Sequence, residues 1–323
     1  MRNATNEPGG FREKSVAELW RPLARFVAVE ARIGQAASKS PFWRFVYEFV
    51  RFGVKQAWAC LFAGLMVALV ITTRFVWPVD APITRYDFIF LSAVAIQIFL
   101  VRFNFESRRE VMIIFVFHVV GTVMEIFKTA KGSWIYPEAA FFRIGGVPLF
   151  TGFMYACIGS YMMRAFALFD FRFSRHPPVW QVGVIAAAIY ANFFLHHYIW
   201  DFRVILFIAV AVIFWPTTIY YRIHHSWRRM PLLLAAFLSA LFIWVVENIG
   251  TFTHVWLYPD QLKQWSMVGP GKLGAWFLLQ IISYALVISA CPPQPVDDGP
   301  IQNSRARHAD RMGRSGATPI KRS

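Results

Sequence analysis

Long apolar runs, separated by short polar connections, set the pattern of this chain. Eight runs reach or approach the roughly 17–25 residues that cross a hydrocarbon core about 30 Å thick. They fall at about 57–77, 86–101, 111–127, 147–168, 179–198, 204–220, 231–249 and 273–291, and the second and sixth are the weakest candidates. Lipid-spanning strands alternate with a period of two, and these runs do not, so they predict helices that satisfy their backbone internally. The fold class expected is all-α. The chain reads as a polytopic membrane protein of about eight transmembrane helices, in two parallel four-helix repeats with both termini cytoplasmic. The divisions are 1–56 (cytoplasmic amphipathic or interfacial helices), 57–168 (first repeat), 169–178 (basic linker), 179–291 (second repeat) and 292–323 (disordered basic tail).

The repeat rests on one register. Glu125, Trp134, Tyr136 and Pro137 recur as Glu247, Trp256, Tyr258 and Pro259, all 122 positions later. Thr129 and Thr251, Pro148 and Pro270, and Gly152 and Gly274 share that offset. Each half then starts at the cytoplasm, which implies a pseudo-two-fold axis along the membrane normal, an arrangement known in transporters.

Composition agrees: 57% of the 323 residues are hydrophobic and 16% charged, with a mean hydropathy of +0.45. A soluble enzyme, a disordered chain and, with three Cys, a disulfide scaffold are excluded. The net charge of +15 raises nucleic acid as a partner, but location argues otherwise. Of 33 Lys and Arg, 25 lie before the first run, at the ends of runs 2, 4 and 6, or after run 8. Positive residues collect on the cytoplasmic side, so the charge reports topology, and membrane lipids are the expected partner. No cleavable signal peptide is expected, since the first 56 residues are polar or amphipathic. Residues 15–56 carry apolar positions at helical spacing among Arg, which suits helices lying on the anionic inner leaflet or a hairpin packed on the inner loops.

Glu125 and Glu247 are the two carboxylates well inside runs, each about 22–24 Å from its inner helix end at about 1.5 Å per residue. Arg74, Asn192, His196 and His197 lie at similar depth, with Asp201 just beyond and His118 two turns below Glu125. Charges in lipid face the bundle interior or water. An outward-opening polar cavity is therefore expected, roofed by the loops bearing Trp134, Tyr136, Trp256 and Tyr258. In one reading the two Glu anchor these loops. In a second they form an acid–base pair, with His196 or His118 as proton partner. In a third, Glu125, Glu247, His196 and His197, with His118 as a further candidate, hold a metal, although no HxxxH or ExxH spacing supports it and no cofactor is implied. Adjacent residues on a helix point about 100° apart, so at most one of His196 and His197 is expected to meet a given ligand.

The stretches GTVMEIFKTAKGSWIYPE, GGVPLFTGFMYACIGSYMMRAFALFDFRF, NFFLHHYIWDFR and VVENIGTFTHVWLYP resemble the YoaT-like integral membrane proteins of bacteria, domain-of-unknown-function family 817. The resemblance implies a multi-span bacterial inner-membrane protein and brings no activity with it. In motif style, Glu125, Trp134, Tyr136, Pro148 and Leu149 are also similar to membrane-embedded carotenoid cyclases and hydratases, although the second half has Gly269-Pro270-Gly271 where a Pro-x-Glu-Glu element would stand. These features suit a membrane enzyme acting on a lipophilic small molecule. A proton-coupled transporter and a non-enzymatic scaffold or sensor are the rival classes.

Overall fold

The computed structural model describes residues 40–296, apart from 79, 104, 225 and 226. The helices expected before residue 40 and the tail from 297 onward lie outside the described residues. Nine helices occur among the described residues: α1 (Pro41–Ala59), α2 (Leu61–Val76), α3 (Arg85–Arg102), α4 (Arg108–Ala130), α5 (Phe150–Phe169), α6 (Val179–Leu195), α7 (Arg203–Phe214), α8 (Leu232–Phe252) and α9 (Gly271–Ala290). Five short strands join them: β1 (Arg143–Ile144), β2 (Val147–Pro148), β3 (Arg172–Ser174), β4 (Thr218–Arg222) and β5 (Trp227–Pro231).

The protein is mostly helical, and α4, α5, α8 and α9 are long and apolar enough to cross a membrane. The pair α1 and α2 would add a fifth crossing if counted as one span, but it bends by 70°. Helices α6 and α7 are apolar and shorter, at 17 and 12 residues.

The local sequence sets the ends of these helices. Ser107 and Glu110 form a reciprocal capping box on α4, the Ser107 N–H donating to Glu110 Oε2 at 2.5 Å and the Glu110 N–H to Ser107 Oγ at 3.3 Å. Asp170 closes α5 in the left-handed conformation, φ 49°. The apolar run at 204–220 does not stay helical. Its helix stops at Phe214, because Pro216 lacks an N–H with which to continue the hydrogen-bond ladder. The β-branched and aromatic residues that follow, Thr218 to Tyr221, pair as a strand instead. The helical expectation holds for most of the chain, and this run is where it gives way to a short strand. Likewise Val147–Pro148 is strand rather than the start of α5, and α6 ends at Leu195 instead of reaching 198.

Connections gather at two ends of the bundle. At one end Ile135, beyond α4, and Leu257, beyond α8, exchange backbone hydrogen bonds of 2.9 and 3.0 Å. Arg85, at the start of α3, reaches the Thr253 and His254 carbonyls at that end and pairs with Glu138. At the other end β3 pairs with β4 and β4 with β5, all antiparallel. Two apolar cores fill the space between the ends. One draws mainly on α2 to α5 and the other on α6 to α9, and Phe166, Trp276 and Leu286 pack against both. Helices α4 and α5 form the most extensive contact. Small residues allow their approach, since a Cβ on Gly121 would stand 2.5 Å from Tyr155 Cγ.

Candidate functional site

Each carboxylate near the loop end of the bundle lies within a set of neutral donors. Glu125, on α4, is 5% exposed. Its Oε2 accepts from Trp134 Nε1 at 2.7 Å and from the Tyr136 hydroxyl, and its Oε1 accepts from the Tyr155 hydroxyl at 2.7 Å. Glu247, on α8, is 3% exposed. Its Oε1 accepts from the Tyr258 hydroxyl and its Oε2 from Trp276 Nε1 at 2.6 Å. Neither carboxylate forms a salt bridge among the described residues.

The two sets touch. The Trp134 and Tyr258 ring centroids are 6.2 Å apart and those of Tyr155 and Trp276 6.4 Å. Lys272 Nζ stands 4.1 Å from the Tyr258 centroid. Tyr136 and Tyr258 lie in the loops, and both hydroxyls are held well above the ordinary phenol range. Burial is the main cause, followed by the neighbouring carboxylates, Glu125 for Tyr136 and Glu247 for Tyr258. These tyrosines therefore serve as neutral donors, and the loops close directly onto the carboxylates.

The residues singled out in sequence do not form one cluster. Glu125, Glu247, Trp134, Tyr136 and Tyr258 come together. Trp256, the counterpart of Trp134, instead lays its ring where a Cβ on Gly250 would sit. His118 packs on Phe153, centroids 4.7 Å apart, and its Nδ1 is buried without a hydrogen-bond partner. Arg74 lines an open pocket of about 400 Å³ whose wall includes Trp77, Arg85 and Glu138 but neither Glu125 nor Glu247.

His196 and His197 form a second cluster, and the expectation that only one could meet a given ligand is corrected. Helix α6 has ended at Leu195, so the 100° spacing no longer applies and the rings lie 4.1 Å apart. Both present Nε2 to the buried Lys128 ammonium, at 3.3 Å from His196 and 2.8 Å from His197. His196 Nδ1 lies 2.9 Å from the Asn192 carbonyl, so its proton belongs on Nδ1 and its Nε2 accepts from Lys128. Asp201 accepts from Asn192 Nδ2 at 3.1 Å and pairs with Arg203. No group of three or more His, Cys, Asp or Glu that could hold a metal occurs among the described residues.

Sequence reasoning missed Tyr155 and Trp276, which complete the two donor sets. They occupy neighbouring but not identical repeat positions, so the 122-residue register did not reveal them. It also missed Glu106, in the turn before α4. That carboxylate pairs with Arg164 at 2.9 Å, with side-chain exposures of 0% and 3%.

A family model described as "Protein of unknown function (DUF817)" matches residues 48–284, a span that takes in both carboxylates and all of their donors. The uncharacterized protein YoaT of Bacillus subtilis (strain 168) is 40% identical over 246 residues, covering 76% of this chain and 92% of that protein. No solved structure matches the chain. A family match over most of the chain and a relative this similar over nearly its full length place the chain in the DUF817 family of proteins of unknown function.

Proposed function

We propose that the protein is a membrane-embedded acid–base enzyme acting on a lipophilic alkene of the isoprenoid type, with Glu125 and Glu247 as the acid/base pair. The observation that carries this is the carboxylate pair itself. Both are buried, neither has a cationic partner within salt-bridge distance among the described residues, and both are surrounded by Trp and Tyr. A buried carboxyl without a salt-bridged Lys or Arg is costly to keep in an apolar bundle unless it is used, which is why such groups mark functional sites in membranes.

In the step proposed, one carboxyl delivers its proton to an alkene carbon, the π electrons forming the C–H bond. The resulting cation rests against the faces of Trp134, Tyr155, Tyr258 and Trp276. The other carboxylate removes a proton from the adjacent carbon, and those C–H electrons restore a double bond. The sum is a double-bond isomerisation that needs no oxidant.

The accompanying topology is about eight apolar helices in a bacterial inner membrane, as two parallel four-helix repeats with cytoplasmic termini, of which α4, α5, α8 and α9 are long enough to cross on their own. The match of Ile135 to Leu257 supports it, because two positions at the repeat offset bond to one another. The sheet end, which carries the Arg-rich connections, would be cytoplasmic. The test is complementation of a deletion strain. Deletion is expected to alter the extractable lipid and pigment profile. Glu125→Gln and Glu247→Gln, present in the membrane at wild-type levels, are expected not to restore it. Full restoration by both variants would remove the carboxylates from the chemistry.

A further inference from the structure

Helix α1 has two unlike faces, and the one turned away from the bundle is apolar. Its bundle face is fully engaged. Lys55 Nζ donates to the Leu168 and Arg222 carbonyls at 2.7 and 3.1 Å. Glu48 pairs with Arg228, Arg51 Nη1 lies 2.6 Å from His224 Nδ1, and the Phe52 ring packs on Phe169 and Tyr221. The opposite face carries Phe42, Trp43, Phe45, Phe49, Val50 and Val54, all more than half exposed. A contiguous apolar surface of this kind is rarely left in water.

Geometry and charge identify what covers it. Helix α1 turns 70° from α2 at Cys60, so if α2 follows the membrane normal, α1 lies within about 20° of the membrane plane. Exposed apolar side chains occur on both sides of the bend, with Trp58 on α1 and Leu65 on α2. Basic residues crowd this end of the molecule: Arg44, Arg102, Arg109, Arg175 and Arg229 are all exposed. The acidic groups nearby are committed, Glu48 to Arg228, Glu106 to Arg164, and Asp170 to Arg172 and Arg222. A surface that is apolar along one helix and basic around it matches an anionic leaflet.

We infer that α1 is an interfacial helix that binds an anionic lipid surface, with Phe42, Phe45, Phe49 and Val54 in the acyl boundary and the surrounding arginines on lipid phosphates. This rests on the helices crossing a bilayer and is independent of the acid–base reading. The test uses the full chain with Cys60, Cys157 and Cys291 changed to Ala, carrying Phe45→Cys, Phe49→Cys or Val54→Cys labelled with bimane. The protein is reconstituted in vesicles of equal parts phosphatidylcholine and phosphatidylglycerol. Val184→Cys on α6 and Phe242→Cys on α8, both exposed along apolar helices, report the bilayer core. The α1 labels are expected to lose more fluorescence to a nitroxide near the acyl-chain head than to one near its end, and to resist aqueous iodide. A nitroxide-bearing phosphatidylglycerol should quench them more than an equal density of the phosphatidylcholine analogue. Iodide quenching without lipid quenching would place the face in water and overturn the inference. So would protection from both quenchers with disulfide cross-linking between copies at Phe49→Cys, which would make the face a contact with a second copy. Equal quenching by the two headgroups would overturn the anionic preference. Failure of the reference labels to show deep quenching would overturn the spanning arrangement on which the inference stands.

Discussion

Ile135 and Leu257, separated by 122 residues, each donate a backbone N–H to the other's carbonyl, at 2.9 and 3.0 Å. The same spacing separates Glu125 from Glu247 and Tyr136 from Tyr258, and each tyrosine bonds the carboxylate eleven residues before it. The pair is an isolated antiparallel bridge, in which the two opposed residues exchange both hydrogen bonds. The tyrosine that follows each of these residues, Tyr136 or Tyr258, bonds one of the two carboxylates. Their surroundings are nonetheless unequal: Glu125 has three donors, and Glu247 has two.

That inequality predicts an order of stability. Tyr136→Phe leaves Glu125 with Trp134 and Tyr155. Tyr258→Phe leaves Glu247 with Trp276 alone among these donors. A buried polar group stripped of a partner costs about 1–3 kcal/mol. Thermal unfolding in detergent is expected to show both variants destabilised, with Tyr258→Phe the worse. Equal shifts would mean that the third donor on Glu125 contributes nothing.

The Lys128–His196–His197 cluster predicts loss of stability in mild acid. Burial, then the charge of Lys128, hold the His197 imidazole below its ordinary value of 6.5. The folded state therefore resists a proton that the unfolded chain accepts. The stabilisation is complete above about pH 6.5 and is lost as pH falls through the lowered folded value. His254 is shifted the same way, by burial and then by Arg74 and Arg85. The melting temperature is expected to drop between about pH 7 and pH 5, and His197→Gln should shrink that drop without abolishing it. A variant that melts with the wild-type pH profile would show the imidazole to be a bystander.

How much of this was legible in the sequence follows from which forces act locally. The apolar runs mark the long helices, because lipid and the interior of a bundle demand the same composition. The repeat register located Glu125, Trp134, Tyr136, Glu247 and Tyr258 because it compares one half of the chain with the other. It could not locate Tyr155 and Trp276, which reach the carboxylates from the next helix in each half through packing that the sequence does not index. The pairing of His196 and His197 with Lys128 was hidden for a different reason. It depends on where α6 stops, and helix ends are the least determined part of an apolar run. Pro216 did carry a readable signal for the end of α7, since proline beyond the first turn interrupts a helix.

The close approach of α4 and α5 makes opposite predictions for different glycines. Gly121→Ala would push a Cβ into the Tyr155 ring, 2.5 Å away, and so disturb a hydroxyl that bonds Glu125. Overpacking of this kind costs about 1–3 kcal/mol. Gly53 and Gly64 are also helical, but nothing lies within 4 Å of a Cβ built on either. Alanine there is expected to stabilise by about 0.5–1 kcal/mol, through the backbone entropy that glycine loses on folding. Melting curves of the three variants should diverge in sign.

The buried pair of Glu106 and Arg164 predicts an asymmetry between its two halves. Glu106 also accepts from Gln97 Nε2 and from Ser160 Oγ, the latter at 3.3 Å, and Arg164 Nη1 donates to the Trp58 carbonyl at 3.3 Å. The pair thus ties the turn before α4 to α5 and to the joint between α1 and α2. Burial already pushes the Glu106 carboxyl above its ordinary range, against the opposing pull of Gln97 and Arg164. If Arg164 is replaced by Met, the carboxyl can take up a proton and escape the cost of a bare buried charge. If Glu106 is replaced by Gln, the guanidinium has no such escape, because it does not deprotonate in proteins. Removing one partner of a buried pair costs about 3–5 kcal/mol. Glu106→Gln is expected to incur that cost at any pH, whereas Arg164→Met should cost less, and least in mild acid. The double variant should recover much of the Glu106→Gln loss, since Gln at 106 still offers Gln97 an acceptor and Met fills the guanidinium's space. Denaturation of the four proteins across pH measures all three comparisons, and an Arg164→Met cost that does not vary with pH would contradict the account.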